Sequence, residues 1–189
     1  GPLAFFVSMV FGKFIDEKEF FIESSKMVHG IPSNAYSFVI KDKVRLNKTK
    51  IKKLKIPNSP LLGKLQNGKD ITYLGKKIKA KDISYVQKGK KISVILDTLM
   101  NENALKIAKN SEVVICEASS LSNEKEKIKE YKHLTAKQAA TIAKKSKSKK
   151  LYLVHISQRH EKNEKEILAD AKQVFKDTTI PNDLDKIKI

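Results

Sequence analysis

At 189 residues, 40% of them hydrophobic, the chain is long enough for one domain or a large part of one, and its single cysteine, Cys116, excludes an intrachain disulfide. The longest apolar run, residues 3–11, falls far short of the ~20 residues a membrane span needs and lacks the basic start of a signal peptide, so the chain reads as cytoplasmic with no membrane partner. The formal net charge of +18 rests almost wholly on lysine, since only Arg45 and Arg159 are arginines; it favours a polyanion such as nucleic acid or anionic lipid, or reflects a lysine-rich solvated surface.

In chain order, "EFFIESSKMV" (19–28) and "AYSFVI" (35–40) alternate as strands and are joined by "HGIPSN". Residues 41–91 then hold 17 basic and 3 acidic side chains, together with the punctuation "IPNSP", "QNGKD", "YLGKK" and "QKGKK". This composition predicts a basic excursion of turns and short strands. Next, "ISVILD" (92–97) reads as a strand, "ENALKIAKN" (102–110) as a short helix and "EVVIC" (112–116) as a strand. "TAKQAATIAKKSK" (135–147) reads as a helix whose Thr135 and Gln138 have capping-box spacing. "LYLVH" (151–155) is a strand, and 163–175 is a helix with Asn163 and Glu166 at the same capping spacing. The alternation implies an α/β fold whose second half is a mostly parallel sheet covered by helices.

In open α/β sheets, function gathers where strands end. Three successive strands end in Asp97, Cys116-Glu117 and His155, and His29 follows an earlier strand at a Gly-Pro turn. Polar groups at the ends of apolar runs need partners, and these could partner one another or share a metal. Each also has a plainer reading. His29 could be a loop histidine, Asp97 a helix-cap residue, Glu117 a surface carboxylate, and His155 a backbone-bonded imidazole. His133 precedes a helix, His160 reads as a surface residue, Cys116 as a small buried apolar side chain, and Arg159 as the partner of a nearby carboxylate. The spacing matches no compact zinc motif.

Several segments together carry a family resemblance. "VHISQRH" resembles the T-H-x-S-x-R-Y signature of ribonuclease Z, the tRNA 3′-processing endonuclease of the metallo-β-lactamase fold. "SVILDT" resembles its S-G-D-T strand end, "VVICEASS" its H-E-A-T segment, "KHLTAKQAATIAKK" its H-S-T-x-x-Q-A-A helix, "MVHGIPSNAYSFVI" its histidine before a turn and strand, and "IPNSPLLGKLQNGKDI" part of its tRNA-binding arm. The resemblance runs from about residue 20 to about residue 175. It implies a metallo-β-lactamase fold, an αββα sandwich, of which residues 1–189 would form mainly the C-terminal half as a single partial domain. A basic tRNA-binding arm would be inserted at about 41–91.

The resemblance also implies roles. His29, Asp97 and His155 would bind metal, with two zinc ions per complete site and Mn2+ or Mg2+ as possible substitutes. Glu117 and His133 would relay a proton to the leaving 3′ oxygen. Lys50, Lys52, Lys53, Lys55, Pro60, Lys64 and Lys69 would contact precursor tRNA, and the enzyme would be a homodimer. The family's H-x-H-x-D-H motif is absent from these 189 residues, which predicts an incomplete catalyst. Leu96, Cys116, Leu134, Ser59 and His160 stand where the family has glycine, histidine, serine, glycine and tyrosine. A non-catalytic tRNA- or RNA-binding module, and another hydrolase of the same fold, are the competing readings.

Overall fold

The computed structural model describes residues 11–124, 126 and 130–189; all but the last residue of the apolar run 3–11 lies outside them. Contacts divide the chain into two compact units, residues 1–40 with 90–189, and residues 41–89.

The chain enters the first unit through β1 (Gly12–Asp16), β2 (Phe20–Lys26) and β3 (Asn34–Ile40), an antiparallel meander. The second unit follows. It consists of β4 (Lys43–Leu46), α1 (Lys48–Lys53), α2 (Pro60–Gln66), β5 (Ile71–Tyr73), β6 (Lys76–Ile78), α3 (Ala80–Ile83) and β7 (Ser84–Gln87). The chain then returns to the first unit as β8 (Lys91–Ile95), α4 (Glu102–Ala108), β9 (Val113–Glu117), α5 (Ala136–Lys145), β10 (Lys150–Val154), α6 (Glu164–Lys172) and β11 (Thr178–Thr179).

These strands form one seven-stranded sheet, ordered β1-β2-β3-β8-β9-β10-β11. It is antiparallel from β1 to β8 and parallel from β8 to β11, so the expected parallel second half is present. Strand β1 and the two-residue β11 extend the sheet beyond the predicted strands. Pairing register puts Ala35, Ile95, Val114, Cys116, Leu151 and Leu153 on one face, where they share a core with Ala104 and Ile107 of α4, the alanines of α5 and Ile167 of α6. The opposite face carries Tyr36, Phe38 and Ile40 of β3, all partly exposed, with Phe14 edge-on to Tyr36 and Phe20 against Phe38.

Thr135 caps α5 as its spacing predicts: its side chain accepts from the Gln138 amide, and the Gln138 side chain accepts from the Thr135 amide. Asn163 is the corresponding residue of α6 but makes no side-chain cap bond. A 3-10 turn at Gln158–Asn163 feeds directly into that helix, and Asn163 (φ −126°, ψ 27°) lacks the extended backbone that aims a capping side chain.

The second unit is more helical than the composition of 41–91 predicts. Its own core joins Ile56, Leu65, Ile71, Ile78, Ala80 and Ile83, with Ile51, Leu61 and Leu62 packed against it. Asn47 caps α1 by accepting from the Lys50 amide, and Pro60 opens α2 at a position where its missing N–H costs nothing. Leu74 and Gly75 have positive φ (48° and 72°), as a tight hairpin turn between β5 and β6 requires.

Candidate metal centre

Four side chains from three strand ends and one loop meet above the parallel half of the sheet. Asp97 follows β8, Glu117 ends β9, His155 follows β10, and His133 precedes α5. Each offers a ligand atom, and these atoms lie within 4.8 Å of one another. Asp97 and His155 both adopt left-handed backbone (φ 45° and 54°), which turns each chain sharply as its strand ends. Such conformations are costly for non-glycine residues and cluster at functional sites.

The carboxylate of Asp97 is the informative group. Its Oδ1 is buried and without a hydrogen bond, although His155 Nδ1 is 3.2 Å and His133 Nδ1 3.7 Å away. Asp97 Oδ1 and His155 Nδ1 face one another without a hydrogen bond, which suits a shared cation, and a carboxylate with an imidazole is a donor set that divalent transition metals accept.

Glu117 is wholly buried and fully engaged. Its Oε1 accepts from the Thr98 amide at 2.5 Å, and its Oε2 accepts from Ser119 Oγ at 3.0 Å and from His133 Nδ1 at 2.8 Å. The surface reading of Glu117 is therefore overturned. Because His133 Nδ1 carries the proton it donates to Glu117, Nε2 of that ring is left with a lone pair.

His29 stands beside this group rather than in it. Its ring centroid lies 5.1 Å from that of His133, which lies 5.3 Å from His155. His29 Nδ1 donates to the Lys132 carbonyl at 3.0 Å, and this fixes a tautomer whose Nε2 can ligate. The loop after β8 holds His29 in place: the Leu99 amide donates to the Val28 carbonyl at 2.8 Å, and the Val28 amide donates to Thr98 Oγ1 at 3.0 Å. A cleft of about 630 Å3 opens alongside, lined by Ser119, Tyr131, His133, His155 and Ser157–Arg159.

No family model matches the sequence. Curated relatives do. The chain is 38% identical to a protein named ribonuclease Z from Nanoarchaeum equitans, over 92% of this chain and 55% of that protein. It is 36% identical to one from Nitrosopumilus maritimus, over 94% and 60%. A third, from Lactobacillus gasseri, is 33% identical over 100% and 62%. The chain is a homologue of ribonuclease Z. It spans little more than half the length of these relatives. Two solved structures share the metallo-β-lactamase fold. The short form of human tRNase Z is 21% identical with a TM-score of 0.56, covering 94% of this chain and 46% of its own. The fold protein YhfI from Bacillus subtilis is 14% identical with the same TM-score, covering 89% and 49%.

Several positions where this ribonuclease Z homologue departs from the family pattern are structurally quiet. Cys116 and Leu134 are buried in the core, and burial together with the Glu117 charge pushes the Cys116 thiol well up, so it is inert packing. Ser59 is extended (φ −149°), a conformation that does not need glycine. His160 is different. It is 8% exposed, so the expectation of a surface histidine is corrected: Nε2 pairs with Glu124 Oε2 at 2.7 Å. Ser119, Thr98 and Tyr131 belong to the site but were not singled out from the sequence. Thr98 and Ser119 lie within the segments that carry the family resemblance, and Tyr131 stands two residues before His133.

In the second unit, Lys50, Lys52, Lys53, Lys55, Pro60, Lys64 and Lys69 are all exposed. Lys50 Nζ donates to the Asp82 carbonyl at 2.6 Å, which draws it toward α3. Among the described residues, no helix is long and apolar enough to cross a membrane.

Proposed function

We propose that the chain serves as part of a metal-dependent endoribonuclease that removes the 3′ trailer from precursor tRNA. The complete catalyst would also use an H-x-H-x-D-H segment, which these residues do not contain. The observation that carries this reading is the buried, unbonded Asp97 Oδ1 facing two imidazoles at a strand-end cluster in a ribonuclease Z homologue. Asp97 and His155, with His29 through its Nε2, would hold the metal. Two zinc ions are the expected complement, with Mn2+ or Mg2+ as alternatives. When bound, the metal supplies Lewis acidity and lowers the pKa of water. His133 has its Nδ1–H held by buried Glu117, so Nε2 of the neutral ring can take up a proton, and the imidazolium so formed would deliver that Nε2 proton to the leaving 3′ oxygen. The lysines of 41–89, with Pro60, form the tRNA-binding arm, gripping phosphates with little sequence preference. The reading includes a homodimer, as the family resemblance implies, and the cytoplasmic location expected from the sequence.

The test is zinc and Mn2+ affinity by calorimetry for the wild-type chain, Asp97→Ala and His155→Ala. Each substitution should weaken binding at least about 10-fold, since even partners outside the ligand set cost that much. Cleavage of precursor tRNA should appear when a polypeptide bearing H-x-H-x-D-H is joined to this chain. Unchanged metal affinity in both variants, or no cleavage by the joined protein, would sink the proposal.

A further inference from the structure

We infer that the part-buried Glu124–His160 pair is a positioning clamp that holds Arg159 in the wall of the cleft, where its guanidinium receives an RNA phosphate beside the candidate metal cluster. The inference rests on the proposed RNA-processing function and extends it to residues that function does not use. Glu124 uses its two oxygens separately. Oε2 takes His160 Nε2 at 2.7 Å, while Oε1 faces Arg159 Nη1 at 3.9 Å. Burial pushes the Glu124 carboxyl up, but the His160 hydrogen bond, the charges of His160 and Arg159, and a backbone hydrogen bond at Leu121 together hold it below the usual range.

The turn that carries these residues is pinned at both ends. The His160 amide donates to the Ser157 carbonyl at 2.7 Å, and the Ser157 amide donates to the Ser119 carbonyl at 3.1 Å. The short 3-10 turn at Ser122–Glu124 is anchored in turn by Asp170, which accepts from the Ser122 amide and from its Oγ, each at 3.0 Å, and pairs with Lys137 at 3.3 Å. Arg159 itself is half-exposed in the cleft that His133 and His155 line; among the described residues its contacts are the Glu124 carboxylate and a 3.4 Å hydrogen bond from Nε to Ser157 Oγ. At 3.9 Å the Glu124 contact orients the guanidinium without consuming its donors. A planar fork presented this way matches a phosphate. Arg159 is one of only two arginines in a chain of 39 cations, so lysine elsewhere does not substitute for that geometry.

The test is a double-mutant cycle on binding of a short single-stranded RNA, read by fluorescence anisotropy across a salt series. Thermal unfolding of each variant checks the fold. Arg159→Ala should weaken binding about 10-fold, the scale of one hydrogen bond to a charged group, and reduce the salt slope by roughly one. Glu124→Gln and His160→Ala should reproduce that loss in the wild-type background and add nothing in the Arg159→Ala background. His160→Gln, which keeps a donor, should recover part of it; if His160→Ala fails to fold, Glu124→Gln and His160→Gln carry the test. Equal losses from Glu124→Gln in both backgrounds would overturn the clamp, since it would then act other than through Arg159. Retained RNA affinity and slope in Arg159→Ala would overturn it while leaving the proposed function standing. No RNA binding by the wild-type chain would overturn both.

Discussion

Glu117 ties the stability of the strand end to the geometry of the candidate site. Its carboxylate accepts from the Thr98 amide, Ser119 and His133 while wholly buried. Glu117→Ala would leave a buried amide without a partner and free the His133 ring, at a cost of about 3 kcal/mol. Glu117→Gln keeps the volume but turns an N–H2 toward a donor and should cost less. Urea unfolding of both variants checks this; a loss under about 0.5 kcal/mol for the alanine would show that the network carries no weight. Glu124 adds a pH signature. Its folded pKa is depressed, so its contribution is present above the ordinary carboxylate range, near 4.3, and is lost as pH falls through the lower folded value. The stability gap between wild type and Glu124→Gln should therefore close as unfolding is measured at progressively lower pH, and a gap that widens toward acid would contradict the assignment. Asp97 and His155 were legible in the sequence because a polar residue ending an apolar run stands out. The left-handed turns at both, and the burial of Glu117 and His160, were not, because they depend on what other strands and turns bring across the sheet.

Elements were legible where local chemistry agreed with tertiary packing. Strand β10 and helix α5 have an unambiguous apolar rhythm, and α5 has a formed capping box besides. Thr135→Ala should cost about 1 kcal/mol, measured as a fall in the thermal midpoint, because it removes the acceptor for the Gln138 amide at a buried helix start. Asn163→Ala, at the same nominal position of α6, should change little, since no side-chain cap bond exists there to lose. A comparable loss at both sites would mean that spacing, not geometry, sets the cap. Helices α1, α2 and α3 escaped the sequence reading for a related reason. At six, seven and four residues they are too short to be stable alone, and the isoleucines and leucines of their local core hold them. In a lysine-rich sequence with frequent turn residues, that core is spread too thinly to show as a period.

Across the whole molecule, a net charge of +18 would attract RNA anywhere, so the role of residues 41–89 has to be separated from bulk charge. Two sets of exposed lysines allow this. Lys52, Lys53 and Lys55 lie at the end of α1 in the second unit, and Lys144, Lys145 and Lys147 lie at the end of α5 in the first. Changing either trio to glutamate alters the net charge equally and removes lysines that complement a helix C-terminus in both cases. If the arm grips phosphates, reversal at 52, 53 and 55 should lower precursor-tRNA affinity steeply. It should also reduce the slope of log K against log salt by roughly two to three, because each lost phosphate contact releases about one fewer counterion. Reversal at 144, 145 and 147 should leave the slope nearly unchanged and lower affinity only by the weaker long-range field, a difference that shrinks as salt shortens the screening length. Equal effects of the two trios would assign binding to the diffuse field and remove the arm from the account of recognition.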